Sequence, residues 1–460
     1  MSIWNQLANE MVGPGSNDSK FGHNVAISGD GNRIAIGAPE DDITIINTAI
    51  RAGSVRIYDY TFETGWVLTH SITGAEPDEQ LGSSIALSED GTILVVGFSD
   101  SINQVRMYRD GIGGWDLDQI IFGPNQIIGN AQFGHSVSIN SAGDRILIGA
   151  PGVINTTTFT TPGAAYLYDY DGNNWNMGIT FEGTVNGGEF GSVVSISGDG
   201  TTLAIGAPNV DGVGSERGEV TVFEFETGMM MWISNSIISG DINSERLGTA
   251  ISLSDDGMRL VLGSPLYDTN LSNNGRVTIY EKGISGYSPM NNGVFDGASA
   301  SDNLGDSAAI SRDGNTVVAG APGDSSVPGY VSTYGWSGTM WELKGTSLNG
   351  DIMADRFGDS VTLTSNGQRL GVGISGGGTA GNLGAARVYR DLTSPSIMPE
   401  TTTPPSGMPP PPTETTISPT TSPPTTLPPT TQPPITTMMD GRTDDEVRAI
   451  LMYWEDVIHD

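Results

Sequence analysis

Histidines are the first residues to test for chemistry, because imidazole is the commonest metal ligand and the usual general base near neutral pH. There are four, His23, His70, His135 and His459, and no pair has the close spacing of a metal-binding couple. His23 and His135 fall at one recurring position, held elsewhere by Ser83, Ser192, Thr249, Asp306 and Asp359. Side chains so interchangeable are expected to be polar fillers facing a rim or an interior. Carboxylates recur in Asp-Gly steps: Asp30-Gly31, Asp90-Gly91, Asp199-Gly200, Asp256-Gly257 and Asp313-Gly314, with Asn366-Gly367 as a variant. Asp, Asn and Gly tolerate the positive φ of tight hairpins, so these steps read as turns. Ala142-Gly143 at the equivalent place in another copy argues against a catalytic or metal role at every step. The acidic run Asp169-Tyr170-Asp171-Gly172 reads as a solvated hairpin. No nucleophile elbow, P-loop or dinucleotide fingerprint has a strand–turn–helix context, and Gly376-Gly377-Gly378 is not followed by a helix. No catalytic residue and no metal site is assigned, and the chain is expected not to be an enzyme.

Composition narrows the field further. The 460 residues carry 53 acidic against 20 basic side chains, a net charge of −33, and no cysteine. Zero cysteine excludes a disulfide framework, Cys-ligated zinc and thiol catalysis. So negative a chain repels phosphate backbones, so no nucleic acid partner is expected. No run of 18 apolar residues exists, so no membrane span is expected, and the N-terminal stretch lacks the pattern of a signal peptide.

What positions these residues is a repeat. FGHNVAISGDGNRIAIGAP from Phe21 returns from Leu81, Phe133, Phe190, Leu247, Leu304 and Phe357, at intervals of 60, 52, 57, 57, 57 and 53 residues. Each copy alternates apolar and polar residues about its turn, predicting two strands. A polar loop of variable length follows, then a third strand ending in Tyr58, Tyr108, Tyr168, Phe223, Tyr280, Tyr334 or Tyr389. A fourth carries Trp66, Trp115, Trp175, Trp232, Tyr287 or Trp341. An aromatic recurring once per repeat is expected to pack between repeats. The seventh copy lacks its fourth strand, while Ile3-Trp4-Asn5-Gln6-Leu7 supplies one at the other end of the sequence. The reading is all-β: a seven-bladed propeller over residues 1–392, of four-stranded antiparallel blades, closed by the N-terminal strand.

The Phe-Gly opening and Gly-Ala-Pro close, as in FGSVVSISGDGTTLAIGAP from Phe190, resemble FG-GAP repeats, the blades of the integrin α-subunit head. The resemblance covers about 390 residues. It implies the propeller fold and a place among adhesion, lectin or scaffold proteins. Integrin-type blades often hold calcium in a longer acidic turn; here the turn shrinks to Ser-x-Asp-Gly, too few ligands for calcium, so no cofactor is expected. A sialidase-type site would need an arginine cluster and a tyrosine nucleophile, and the 17 arginines do not gather at one repeat position.

In an antiparallel blade the loops after the second and fourth strands share one face. The second-strand loops are long and variable, the usual seat of binding on a rigid scaffold. Glu40, Asp41, Asp42, Asp211, Glu216, Arg217, Asp268 and Asp324 are the candidate ligand contacts there. From Thr393 the composition turns to Thr and Pro, 15 of each in 45 residues with no Lys or Arg, which predicts an extended linker over 393–439. Residues 440–460 predict an acidic amphipathic helix capped by Thr443 and Glu446, with Val447, Ile450, Leu451, Trp454, Val457 and Ile458 on its apolar face. Head, linker and helix together suggest a non-enzymatic recognition or adhesion protein at a cell or virion surface. Its head would bind a protein or glycan, and its helix a second protein or another copy. A sugar-binding lectin and a structural surface component are the rival readings.

Overall fold

The computed structural model describes residues 3–13, 19–45, 48–98, 103–123, 131–155, 157–158, 160–211, 216–324, 327–376 and 383–393. The predicted linker beyond residue 393 and the predicted helix with Val447, Ile450, Leu451, Trp454, Val457 and Ile458 lie outside them. All elements among the described residues are strands, arranged as seven antiparallel blade sheets and one separate two-stranded hairpin. The first blade runs Asn24–Ile27, Arg33–Ala38, Ser54–Thr61 and Gly65–Thr73 from inside to outside. The innermost strands of successive blades touch, and Asn24–Ile27 contacts both Ser84–Leu87 of the second blade and Phe357–Leu363 of the seventh. The ring is closed.

Closure uses the N-terminal strand, as expected. Trp4–Gln6 pairs antiparallel with Ala385–Asp391 in the register Trp4↔Asp391, Asn5↔Arg390, Gln6↔Tyr389. Trp4 is buried in the last blade's core, and its indole Nε1 donates to Thr333 Oγ1 of the sixth at 2.8 Å. Two features lay outside the sequence reading. Asp42–Ile45 and Thr48–Arg51 form an extra hairpin in the first long loop. The sixth blade's outer strand is broken into Trp341–Leu343 and Leu348–Asn349.

The repeat motif acquires a physical meaning at the blade boundaries. Phe or Leu and the following Gly occupy the middle of a tight turn, closed by bonds such as His23 N to Lys20 O at 3.0 Å. The motif glycines have φ from 90° to 95° in all seven blades, a conformation that favours glycine. Their carbonyls lie against the Gly-Ala-Pro glycine of the preceding blade. A Cβ on Gly149 would stand 1.9 Å from Gly191 O, and one on Gly373 the same distance from Gly22 O across the closure. The two glycines of the motif therefore let adjacent blades approach backbone to backbone.

The arginine distribution needs correcting. Four of the 17 share one repeat position, the first residue of the second strand: Arg33, Arg145, Arg259 and Arg369. Each donates through Nη1 to the turn glycine of the next blade, at 2.9 Å (Gly91 O), 2.8 Å (Gly200 O), 2.7 Å (Gly314 O) and 2.6 Å (Gly31 O). The same guanidinium groups lie over Trp115, Trp232, Trp341 and Tyr60 of that next blade. The aromatic stripe thus packs between blades, as anticipated, and is pinned there by cations. These arginines are structural.

Candidate functional site

Seven innermost strands surround a central channel whose two ends differ. Its narrow end is built from the Ser-x-Asp-Gly turns. There the serine caps its own turn: Ser28, Ser88 and Ser197 each donate to the following Asp at 2.6 Å. Burial works against the Asp30 and Asp90 charges, yet these hydroxyls and the turn amides hold both carboxyls below their ordinary range. The carboxylates of the turns are thus consumed by turn geometry. The variable residue of the motif points a different way. Arg312 pairs with Glu89 and Asp255 and bonds Ser141, reaching three other blades; Ser141 donates to Asp255 at 2.5 Å, and Ser365 bonds Glu89. Backbone bonds such as Gly29 N to Glu89 O (2.8 Å) and Asp255 N to Arg312 O (2.9 Å) link neighbouring turns. A charged network narrows this end, around a cavity of about 270 Å³.

The other end, on the long-loop face, opens into a cavity of about 730 Å³. Its lining includes His23, Ser83, His135, Ser192, Thr249, Asp306 and Asp359, the seven occupants of the single recurring position. One residue before each Phe/Leu-Gly turn stands an outer set: Lys20, Gln80, Gln132, Glu189, Arg246, Asn303 and Arg356. All seven hold φ between 52° and 57°, a sparsely populated region for residues with a Cβ. Such a backbone persists only where the surrounding structure dictates it. Here the closing turn bond and the buried aromatic or leucine that follows do so.

Charge is concentrated on one sector of the mouth. Arg356 Nε donates to Asp359 Oδ1 at 2.9 Å, and its Nη2 stands 3.9 Å from Asp306 Oδ2. His23 Nδ1 lies 3.7 Å from Asp359 Oδ2, and Ser375 also donates to that carboxylate. Burial would raise the Asp359 carboxyl, but the His23 and Arg356 interactions hold it below its ordinary range. Asp306 goes the other way: burial, reinforced by the Asp359 charge, pushes it up to about 6. The opposite sector presents hydroxyls: Ser83, Ser192 and Thr249 donate to the carbonyls of Gln80, Glu189 and Arg246. Among the described residues no group of three or more His, Asp and Glu is disposed to hold a metal ion.

Of the eight contacts proposed from sequence, two adjoin this mouth. Glu40 pairs with the outer-set residue Lys20 and with Arg51 at 2.5 Å. Glu216 pairs with the outer-set residue Arg246 at 3.1 Å. Asp41 is buried and accepts from Ser54 Oγ at 2.7 Å, which makes it part of the loop's framework. Arg217 bonds Gly240 O and is also spent internally. Asp211 and Asp268 accept from the amides of Glu216 (2.9 Å) and Asn273 (2.6 Å), shaping their own loops. Asp42 and Asp324 are exposed, and Asp42 stands opposite Arg51, the partner of Glu40, in the extra hairpin. The mouth residues themselves were visible as a repeat position, but their differing chemistries concealed that they meet. No protein-family model matches the chain, and no curated protein matches it.

Proposed function

We propose that this is a non-enzymatic recognition protein of the FG-GAP, integrin α-like kind, taking a partner at the open mouth of its channel. The observation that carries the reading is the contrast between the two ends. One is narrowed by Arg312 and its carboxylates; the other is a wider concave cavity lined by the seven side chains of one repeat position. Seven positions free to vary on one rigid frame suit specific binding. Charged and hydroxyl-bearing sectors side by side favour a polar partner, either a protein surface or a glycan. No cofactor has a part in this reading. An exposed setting, on a cell or a virion, fits the Thr/Pro-rich stretch that follows the blades, and the predicted helix beyond it would dock to a second protein.

The test is binding of the full-length protein to a glycan array and to an extract of surface glycoproteins before and after enzymatic deglycosylation. A retained glycoprotein lost on deglycosylation, together with array hits, supports a glycan partner. Retention that survives deglycosylation supports a protein partner. No retention in either format would overturn the proposal.

A further inference from the structure

Two residues ahead of the Phe/Leu-Gly turn, four blades bury a carboxylate: Glu79, Glu245, Asp302 and Asp355, none more than 5% exposed. A carboxylate so placed requires a cation or a set of donors. In three of the four blades the third strand of the same blade supplies an arginine. Arg106 pairs with Glu79, and its guanidinium lies 4.9 Å over the Phe98 ring. Arg276 acts electrostatically on Glu245, pairs with Asp296 and lies 3.7 Å over Tyr267. Arg387 acts on Asp355, pairs with Glu10 and Asp351 and lies 5.8 Å over Phe357.

The sixth blade departs from this pattern. Its third strand, Tyr330–Trp336, places Tyr330 where the fifth blade has Arg276, and Ser332 where the second and seventh have Arg106 and Arg387. Asp302 is left with neutral donors on Oδ2, the Ser299 amide at 2.7 Å and the Tyr330 hydroxyl at 3.0 Å. Beside it is a cavity of about 670 Å³, bordered by the break in the outer strand at Leu343 and Ser347. Asp302, Ser332 and Tyr330 line it together with the stacked rings of Phe295 and Tyr334, 3.7 Å apart.

We propose that this cavity receives an arginine side chain from a partner protein, in the place that three other blades fill with their own. The aromatic walls and the carboxylate match a guanidinium by the same two interactions seen within the chain, a charge-assisted hydrogen bond and a ring contact. Arginine is favoured over lysine because its planar, weakly hydrated fork suits both. The cavity lies between the fifth and sixth blades and is independent of the channel mouth.

The experiment titrates the full-length protein with N-acetyl-arginine methylamide and with its neutral isostere, N-acetyl-citrulline methylamide, followed by NMR. The arginine compound should bind saturably and the citrulline compound about tenfold or more weakly, as expected for loss of a charged hydrogen bond. Ser332→Arg should fill the cavity from within and abolish binding while leaving the unfolding midpoint unchanged or higher. Ser332→Ala should retain binding, and Asp302→Asn should weaken it about tenfold. The proposal is overturned by absence of saturable binding, by equal binding of the two compounds, or by binding that survives Ser332→Arg.

Discussion

Substituting the Gly-Ala-Pro glycines with alanine tests the packing of the ring most sharply, because the structure grades the outcome. A Cβ on Gly149 would stand 1.9 Å from Gly191 O and 2.3 Å from Ser136 Oγ. Ordinary contact begins near 3.4 Å, so the third and fourth blades would have to separate by about 1.5 Å. At Gly206 the nearest atom, Gly248 O, is 2.7 Å away, and a shift of about 0.7 Å suffices. Gly113 has nothing within 4 Å and no left-handed φ, so alanine is accommodated there. Overpacking typically costs roughly 1–3 kcal/mol and more where backbone is the obstacle. Gly149→Ala should therefore lose roughly 3 kcal/mol or more, Gly206→Ala roughly 1–2, and Gly113→Ala within about 0.5. Urea unfolding followed by tryptophan fluorescence gives the midpoints, with an unchanged slope reporting an intact transition. If Gly149→Ala matched Gly113→Ala, the claim that this motif exists for close approach between blades would be refuted.

Three further substitutions probe other parts of the account. Trp4→Ala removes a buried indole and its bond to Thr333 at the closure of the ring, and should cost roughly 3–5 kcal/mol in the same unfolding assay. Arg145→Ala removes one inter-blade strut; losing its bond to Gly200 O and its contact with Trp232 should cost roughly 1–3 kcal/mol, with Arg145→Lys recovering only part. Asp306→Asn addresses pH. A carboxyl pushed up to about 6 when folded destabilises the protein in its charged form, so stability should rise as pH falls from above 6 toward 4. Asp306→Asn should raise the stability at pH 7.5 by about 1 kcal/mol, discounted for the side chain's partial exposure, and flatten that rise. Asp359, held low when folded, acts in the opposite sense: its contribution is present above the ordinary carboxylate range and is lost only as pH falls below it.

The blades were legible because their signals are local. A Ser-x-Asp-Gly turn, two alternating strands and an aromatic each lie within one repeat, and the unmatched Trp4 strand pointed to closure. The arginine struts were harder to see: only four copies use them, with Ile93, Thr202 and Thr316 among the residues at that position in the others. The mouth was invisible as a site for a different reason. His23 and Asp359 are neighbours only because a ring brings its ends together, and no periodicity announces a pair that differs in chemistry. The same holds for Arg312 with Glu89 and Ser141 at the narrow end. Candidate contacts chosen as charged residues of the long loops mixed rim residues such as Glu40 with framework residues such as Asp41, which is buried and bonded to Ser54.

Paired substitutions at the two ends of the channel test the central claim most directly. Ser83→Trp with Thr249→Trp fills the open mouth, and Arg312→Gln disturbs the narrow end, each variant carried in the full-length protein and matched for unfolding midpoint. Binding to surface glycoproteins is then measured for all three proteins. The account predicts that filling the mouth abolishes the retention seen with the unaltered protein while Arg312→Gln preserves it. Retention unaffected by the filled mouth, or lost only with Arg312→Gln, would contradict it.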